Sequence, residues 1–169
     1  MEQPIVNRVA NSALMTIDLE EYFPEGDRVQ LDLSQWLEGG FILREKEFRQ
    51  ALKETDWSQY TDKHVALYCG TDAILPGWAY MLVTTHLTSQ AGKIVLGSLN
   101  DLEVELFRDA IDLIDLSVYQ DKPVIIKGCA NKVIPEQAYL YLLQKIQPLT
   151  KSLMYGEACS SVPLHKRKK

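Results

Sequence analysis

Nowhere in the 169 residues is there a run of about 18 consecutive apolar side chains, so no segment has the length a helix needs to span a bilayer. The amino-terminal stretch MEQPIVNRVANSALM carries Glu2 and lacks the continuous apolar core of a secretory leader. A cytoplasmic protein with no membrane partner is expected. Cysteine is scarce. Cys69, Cys129 and Cys159 are odd in number and contain no close pair, which argues against a disulfide framework in a reducing compartment and leaves free thiols or metal ligands. Basic charge is sparse as well. The net charge is -5, and the one basic cluster, His165 to Lys169, is too short to form a nucleic-acid surface. Walker, GxGxxG, GxSxG and HExxH motifs are all missing.

What is present is apolar content, 46% of the chain, spread over its whole length. That is enough for a substantial core, and the length suits one domain over 1–164 followed by a solvated basic tail over 165–169. Within the domain the reading is an N-terminal part over 1–60, a first repeat over 64–98, a linking helix over 99–114 and a second repeat over 123–157.

The repeat is the clearest pattern. HVALYCGTDAILPGWAYMLVTTHLTSQAGKIVLGS and PVIIKGCANKVIPEQAYLYLLQKIQPLTKSLMYGE share a β-branched run, a cysteine, Ile-x-Pro, an Ala-Tyr pair and a second apolar run ending in glycine. Pro76 and Pro135, Ala79 and Ala138, Tyr80 and Tyr139, and Gly97 and Gly156 are each 59 positions apart, whereas Cys69 and Cys129 are 60 apart. Short apolar runs without strict alternation, Val65 to Tyr68 and Val124 to Ile126, predict strands covered on both sides. Pro76 and Pro135 suit helix starts, and Ile94 to Leu96 and Leu153 to Tyr155 read as returning strands. Ser98 with Asp101 resembles a helix cap.

The expected fold class is therefore α/β: a mostly parallel sheet with helices on both faces, built on an internal repeat of a strand, cysteine loop, helix, strand unit. Leu14 to Asp18 and Val29 to Leu33, separated by Pro24-Glu25-Gly26-Asp27, read as strands of an antiparallel N-terminal edge. Phe48, Ala51 and Leu52 mark the buried face of a helix over roughly 45–54.

In an open parallel sheet, ligands bind beyond the carboxyl ends of the strands. All three cysteines follow strands of the repeat, so a single sheet brings Cys69, Cys129 and Cys159 to one rim, where helix N-termini favour thiolates. Three thiolates with Asp72 or Glu157 as a further ligand, or Asp101, describe a site for zinc, iron or an iron-sulfur cluster. Against this, lone cysteines at strand ends also serve as small core residues. Asp18, Glu20 and Glu21 form an acidic group read as a solvated helix start or a divalent-cation site. Trp78 and Tyr80 read as helix packing.

Val6 to Ser12, Pro76 to Leu82, Lys127-Gly128-Cys129, and Tyr155 to Leu164 together resemble the domain of unknown function 2480 family, small proteins of the Bacteroidetes, over nearly the whole chain. The resemblance implies a context: genes of that family often lie beside those of the sulfur-mobilisation pathway for iron-sulfur cluster assembly. It transfers no catalytic residue. The expectation is a non-enzymatic accessory protein of cluster assembly or sulfur handling that uses Cys129 and Cys159 with Cys69 assisting. Its expected partners are iron-sulfur assembly proteins and a second copy of itself. A scaffold with structural cysteines and a thiol-dependent enzyme with Cys129 as nucleophile are the alternatives, the last lacking an evident base.

Overall fold

The computed structural model describes residues 13–128, 131–157 and 160–168. Its strands are β1 (Met15–Ile17), β2 (Arg28–Asp32), β3 (His64–Tyr68), β4 (Ile94–Leu96), β5 (Pro123–Ile126), β6 (Ser152–Glu157) and β7 (Ser160–Lys166). Its α-helices are α1 (Glu45–Glu54), α2 (Gly77–Leu87), α3 (Leu99–Asp112) and α4 (Glu136–Ile146). Four short 3-10 turns share one local rule. Asp18, Asp32, Asp56 and Asp115 each stand just before a turn and accept a hydrogen bond from the backbone N–H two residues on, at 2.9 to 3.0 Å.

The chain forms two sheets rather than the one expected from sequence. β2, β3 and β4 make a parallel sheet in the order β2-β3-β4, and a second sheet has the order β1-β5-β6-β7. These sheets belong to two compact units. One is contiguous, Pro24–Leu106; the other combines the chain up to Phe23 with the chain from Phe107 onward. The contiguous unit is thus inserted into the enclosing one in chain order.

Each unit runs through the same elements. The inserted unit has β2, the turn Leu33–Trp36, α1, the turn Trp57–Tyr60, β3, α2 and β4. The enclosing unit has β1, the turn Leu19–Tyr22, the second half of α3, the turn Leu116–Tyr119, β5, α4 and β6, and then adds β7. The cysteine is not what recurs. At the spacing that aligns the prolines, Cys69 falls on Gly128, and Cys129 lies outside the described residues.

In the inserted unit, Leu31, Val65 and Leu67 present one face of the sheet to Phe48 and Leu52 of α1 and to Ala79, Val83 and Leu87 of α2. Ala66, on the alternate register of β3, packs instead with Leu102 and Leu106 of α3. In the enclosing unit, Ile17, Val124, Ile126 and Leu153 pack with Phe107 and Ile111 of α3 and with Ala138, Leu142 and Ile146 of α4.

The antiparallel N-terminal edge is corrected. β1 pairs parallel with β5, Ile17 opposite Ile126, and β2 pairs parallel with β3, Asp32 opposite Tyr68. The Pro24 to Asp27 segment looks like a hairpin turn, yet each strand ends on a capping aspartate that turns the chain away before a hairpin can close. The antiparallel strand is β7, at the other end of the chain, paired with β6. It carries His165 and Lys166, two of the five residues read as a basic tail. Arg167 donates to Asp121 and to the carbonyls of Pro148 and Leu149.

Candidate functional site

The carboxyl ends of β1, β5 and β6 form one rim, because Ile17 is opposite Ile126 and Ile126 is opposite Tyr155. The next residues out are therefore Asp18, Lys127 and Gly156. Asp18 caps its turn through the Glu20 N–H, and its other carboxylate oxygen accepts from the Lys127 ammonium at 2.5 Å. The Asp18 hydrogen bond raises the Lys127 pKa above its ordinary value; burial opposes this, and the charges of Asp18, Glu157 and Glu20 add to it. Lys127 is thus a fixed cation among three carboxylates. Glu20 accepts from the Asn131 N–H at 3.1 Å.

Glu157 ends β6 at this rim, and its Oε1 is buried with no hydrogen-bond partner among the described residues. An unsatisfied buried carboxylate oxygen is costly, so a cation or donor that reached it would be bound favourably. Gly128 marks a close approach: a Cβ there would lie 2.8 Å from the Tyr155 ring. That ring meets Tyr139 edge to face, 5.7 Å between centroids.

The inserted unit has its own rim. Asp32 accepts from the Ser34 N–H at 2.9 Å, the Ser34 hydroxyl at 2.7 Å and the Gly70 N–H at 2.8 Å. Burial pushes the Asp32 pKa up, but these hydrogen bonds prevail and hold it below the ordinary carboxylate value. Cys69 follows β3, half-buried, with Sγ 3.4 Å from the Thr71 hydroxyl. The Tyr80 hydroxyl pKa is raised, chiefly by burial and then by the charges of Cys69 and Asp32.

The residues proposed as ligands from the sequence therefore divide. Cys69 and the exposed Asp72 follow β3 of the three-stranded sheet, whereas Glu157 ends β6 of the four-stranded one. The single sheet that joined them in the sequence reading does not exist. Cys129 and Cys159 lie outside the described residues. Among the described residues, no three His, Cys, Asp or Glu side chains gather in a metal-holding group. Asp101 is occupied in capping, accepting from the N–H and the hydroxyl of Ser98, both at 2.7 Å. The acidic group at Asp18, Glu20 and Glu21 resolves into a turn cap and two carboxylates, of which Glu20 faces the Asn131 N–H.

Lys127 was missed as a site residue. Its signal in the sequence is positional: it directly follows an apolar strand, as Asp18 does. Of the histidines, His64 opens β3, with Nε2 2.8 Å from the Glu25 carbonyl and Nδ1 accepting from the Lys93 N–H at 3.0 Å. His86 stacks on Trp57 at 5.1 Å. Both are structural.

Among the described residues no helix is long and apolar enough to cross a membrane. Fold and rim together define a mixed α/β protein of two mostly parallel sheets with polar groups at the carboxyl ends of its strands. A family model described as "Protein of unknown function (DUF2480)" matches residues 3–167, and the chain belongs to that family. No curated protein and no solved structure matches it.

Proposed function

We propose that this chain is a non-enzymatic accessory protein of iron-sulfur cluster assembly or sulfur handling, working with assembly proteins in the cytoplasm. It binds a metal ion or accepts sulfur through Cys129 and Cys159, with Glu157 as an additional oxygen ligand. The observation that carries this reading is the parallel pairing of β5 with β6, Ile126 opposite Tyr155. Gly128 and Glu157 each lead within two residues to a cysteine. The oxygen of Glu157, buried and without a partner among the described residues, supports it further, since zinc accepts carboxylate oxygen as well as sulfur and nitrogen ligands.

The shared-sheet argument no longer joins Cys69 and Asp72 to this set, and a Cys69→Ser variant tests them directly. The full chain, purified without oxygen, is expected to carry iron or zinc near one equivalent. The metal is lost in Cys129→Ser and Cys159→Ser and retained in Cys69→Ser. Protein that folds normally, carries no metal or persulfide and has unreactive thiols would replace this reading with a scaffold whose cysteines are structural. Rapid alkylation of Cys129 alone, rising with pH in the absence of metal, would point instead to a nucleophile.

A further inference from the structure

The chain leaving β5 is tied to a single turn on both sides of Cys129. Before the cysteine, the Lys127 N–H donates to the Ile17 carbonyl at 2.9 Å, and the Lys127 ammonium donates to the Asp18 carboxylate at 2.5 Å. After it, the Asn131 N–H donates to Glu20 Oε2 at 3.1 Å, and the Lys132 ammonium lies 4.5 Å from the centre of the Phe23 ring. Cys129 itself lies outside the described residues; the hydrogen bonds fix the chain two residues before it and two residues after it. The turn is anchored in its own right. Leu19 is fully buried, and Phe23 packs edge to face on Phe107. The Asp18 and Lys127 side chains are only 12% and 32% exposed, so their pair is screened less than one at the open surface.

This turn departs from the rule that the other three follow. After Asp32, Asp56 and Asp115, the residue two places on is a serine, and the hydroxyls of Ser34, Ser58 and Ser117 bond back to the capping carboxylate. After Asp18 that place is taken by Glu20. One Asp18 oxygen is thereby left for Lys127, and the Glu20 carboxylate reaches outward to the Asn131 N–H. The inserted unit shows what the arrangement acts on. Asp32, following β2, accepts from the Gly70 N–H beyond the paired strand β3, as Asp18, following β1, reaches beyond β5. At the spacing that aligns Pro76 with Pro135, Gly70 falls on Cys129. The unit with a cysteine at this place is the one whose turn supplies a second carboxylate to hold it.

Resting on the reading of Cys129 as a metal or sulfur ligand, we propose that Glu20 and the Asp18–Lys127 pair are positioning residues for that thiol. They restrict the chain on either side of Cys129, so the sulfur meets its ligand without the ordering cost that a free loop incurs on binding. Neither Glu20 nor Lys127 needs to touch the ligand for this. Their contribution is made through the backbone of Lys127 and Asn131, and it is lost when either hold is removed.

The full chain loaded with zinc is expected to release it to a chromogenic chelator about tenfold faster in Glu20→Ala and in Lys127→Met, the order that follows from losing one hydrogen bond to a charged group. Glu20→Gln, whose amide oxygen can still accept from the Asn131 N–H, is expected to restore slow release. Ile111→Val weakens the same core without touching either hold and should release zinc as wild type does. By hydrogen exchange, the Asn131 amide should be about tenfold less protected in Glu20→Ala and protected again in Glu20→Gln. Lys127→Met keeps the test open if Glu20→Ala misfolds. Release rates equal to wild type in both Glu20→Ala and Lys127→Met overturn the proposal, and so does an Ile111→Val chain that releases zinc as fast as they do. A wild-type chain that takes up neither metal nor persulfide overturns the ligand reading instead. The positioning is then read from iodoacetamide alkylation of Cys129, expected to be faster in Glu20→Ala and Lys127→Met and restored in Glu20→Gln; equal rates in all of them overturn it.

Discussion

Phe23 and Phe107 meet edge to face, their ring centroids 5.6 Å apart and their planes at 81°. They are the last residue before the inserted unit and the first after it. The enclosing unit is thus pinned at the point where its chain is interrupted, by an aromatic pair whose Phe107 member is fully buried in the core of Ile17, Ile111 and Leu142.

Phe107→Ala is expected to cost about 3–5 kcal/mol, as for other buried phenylalanines truncated in well-packed cores. Phe23→Ala should cost less, because Phe23 is only partly buried. A double-mutant cycle by urea denaturation is expected to return a coupling of about 0.5–1.5 kcal/mol for the ring pair.

Asp32 makes stability depend on acid. Its folded pKa lies below the ordinary value, so the stabilisation it supplies is complete above the unfolded carboxyl pKa of about 4 and is lost as pH falls through the lower, folded value. Asp32→Asn should be less stable than wild type at pH 7. The gap should narrow from about pH 4 downward, measured by denaturation at a series of pH values. A constant gap across that range would show that the hydrogen-bonded charge is not the cause.

Asp62 and Asp121 occupy the left-handed region, with φ of 60° and 57°, at corresponding places in the two units. Such a conformation costs a residue with a Cβ roughly 1 kcal/mol, and glycine avoids it. Asp62→Gly is expected to raise stability by up to about 1 kcal/mol. Asp121→Gly should gain less, because Asp121 also pairs with Arg167. Thermal melts of the two variants side by side read the difference.

Gly128 permits the chain to pass the Tyr155 ring. Gly128→Ala would set a Cβ 2.8 Å from that ring, closer than packing allows, and should destabilise by about 1–3 kcal/mol as an overpacked site does. If the chain after β5 binds metal or sulfur as proposed, the same variant lowers that occupancy. Gly77→Ala, where a Cβ meets nothing, serves as the control.

Much of this architecture is legible in the residues, and the exceptions have physical causes. Pro76 and Pro135 precede α2 and α4 directly, the helix over 45–54 is found as read, and Ser98 with Asp101 forms the reciprocal cap that their spacing suggests. The number of sheets was not legible, because parallel strands announce their burial but not their neighbours. Pairing β1 with β5 joins residues 109 positions apart, and nothing local encodes that. β7 escaped because Pro163 lies within it; a proline cannot donate to a ladder, and it is tolerated here at an edge, beside the register shift at Leu153 and Met154. The rim of Asp18 and Lys127 could be anticipated only as residues that follow strands, while their pairing required the sheet order.

The insertion also sets an order in time. A ribosome delivers β1 long before β5, whereas β2, β3 and β4 emerge within one continuous stretch of chain. Loop closure weighs against the distant pairing, so the three-stranded sheet can assemble on the nascent chain while β1 still waits for a neighbour. A pause or truncation after Leu106 would therefore leave a finished inner unit carrying an orphaned strand at its leading end, a form that quality-control proteases are well placed to recognise.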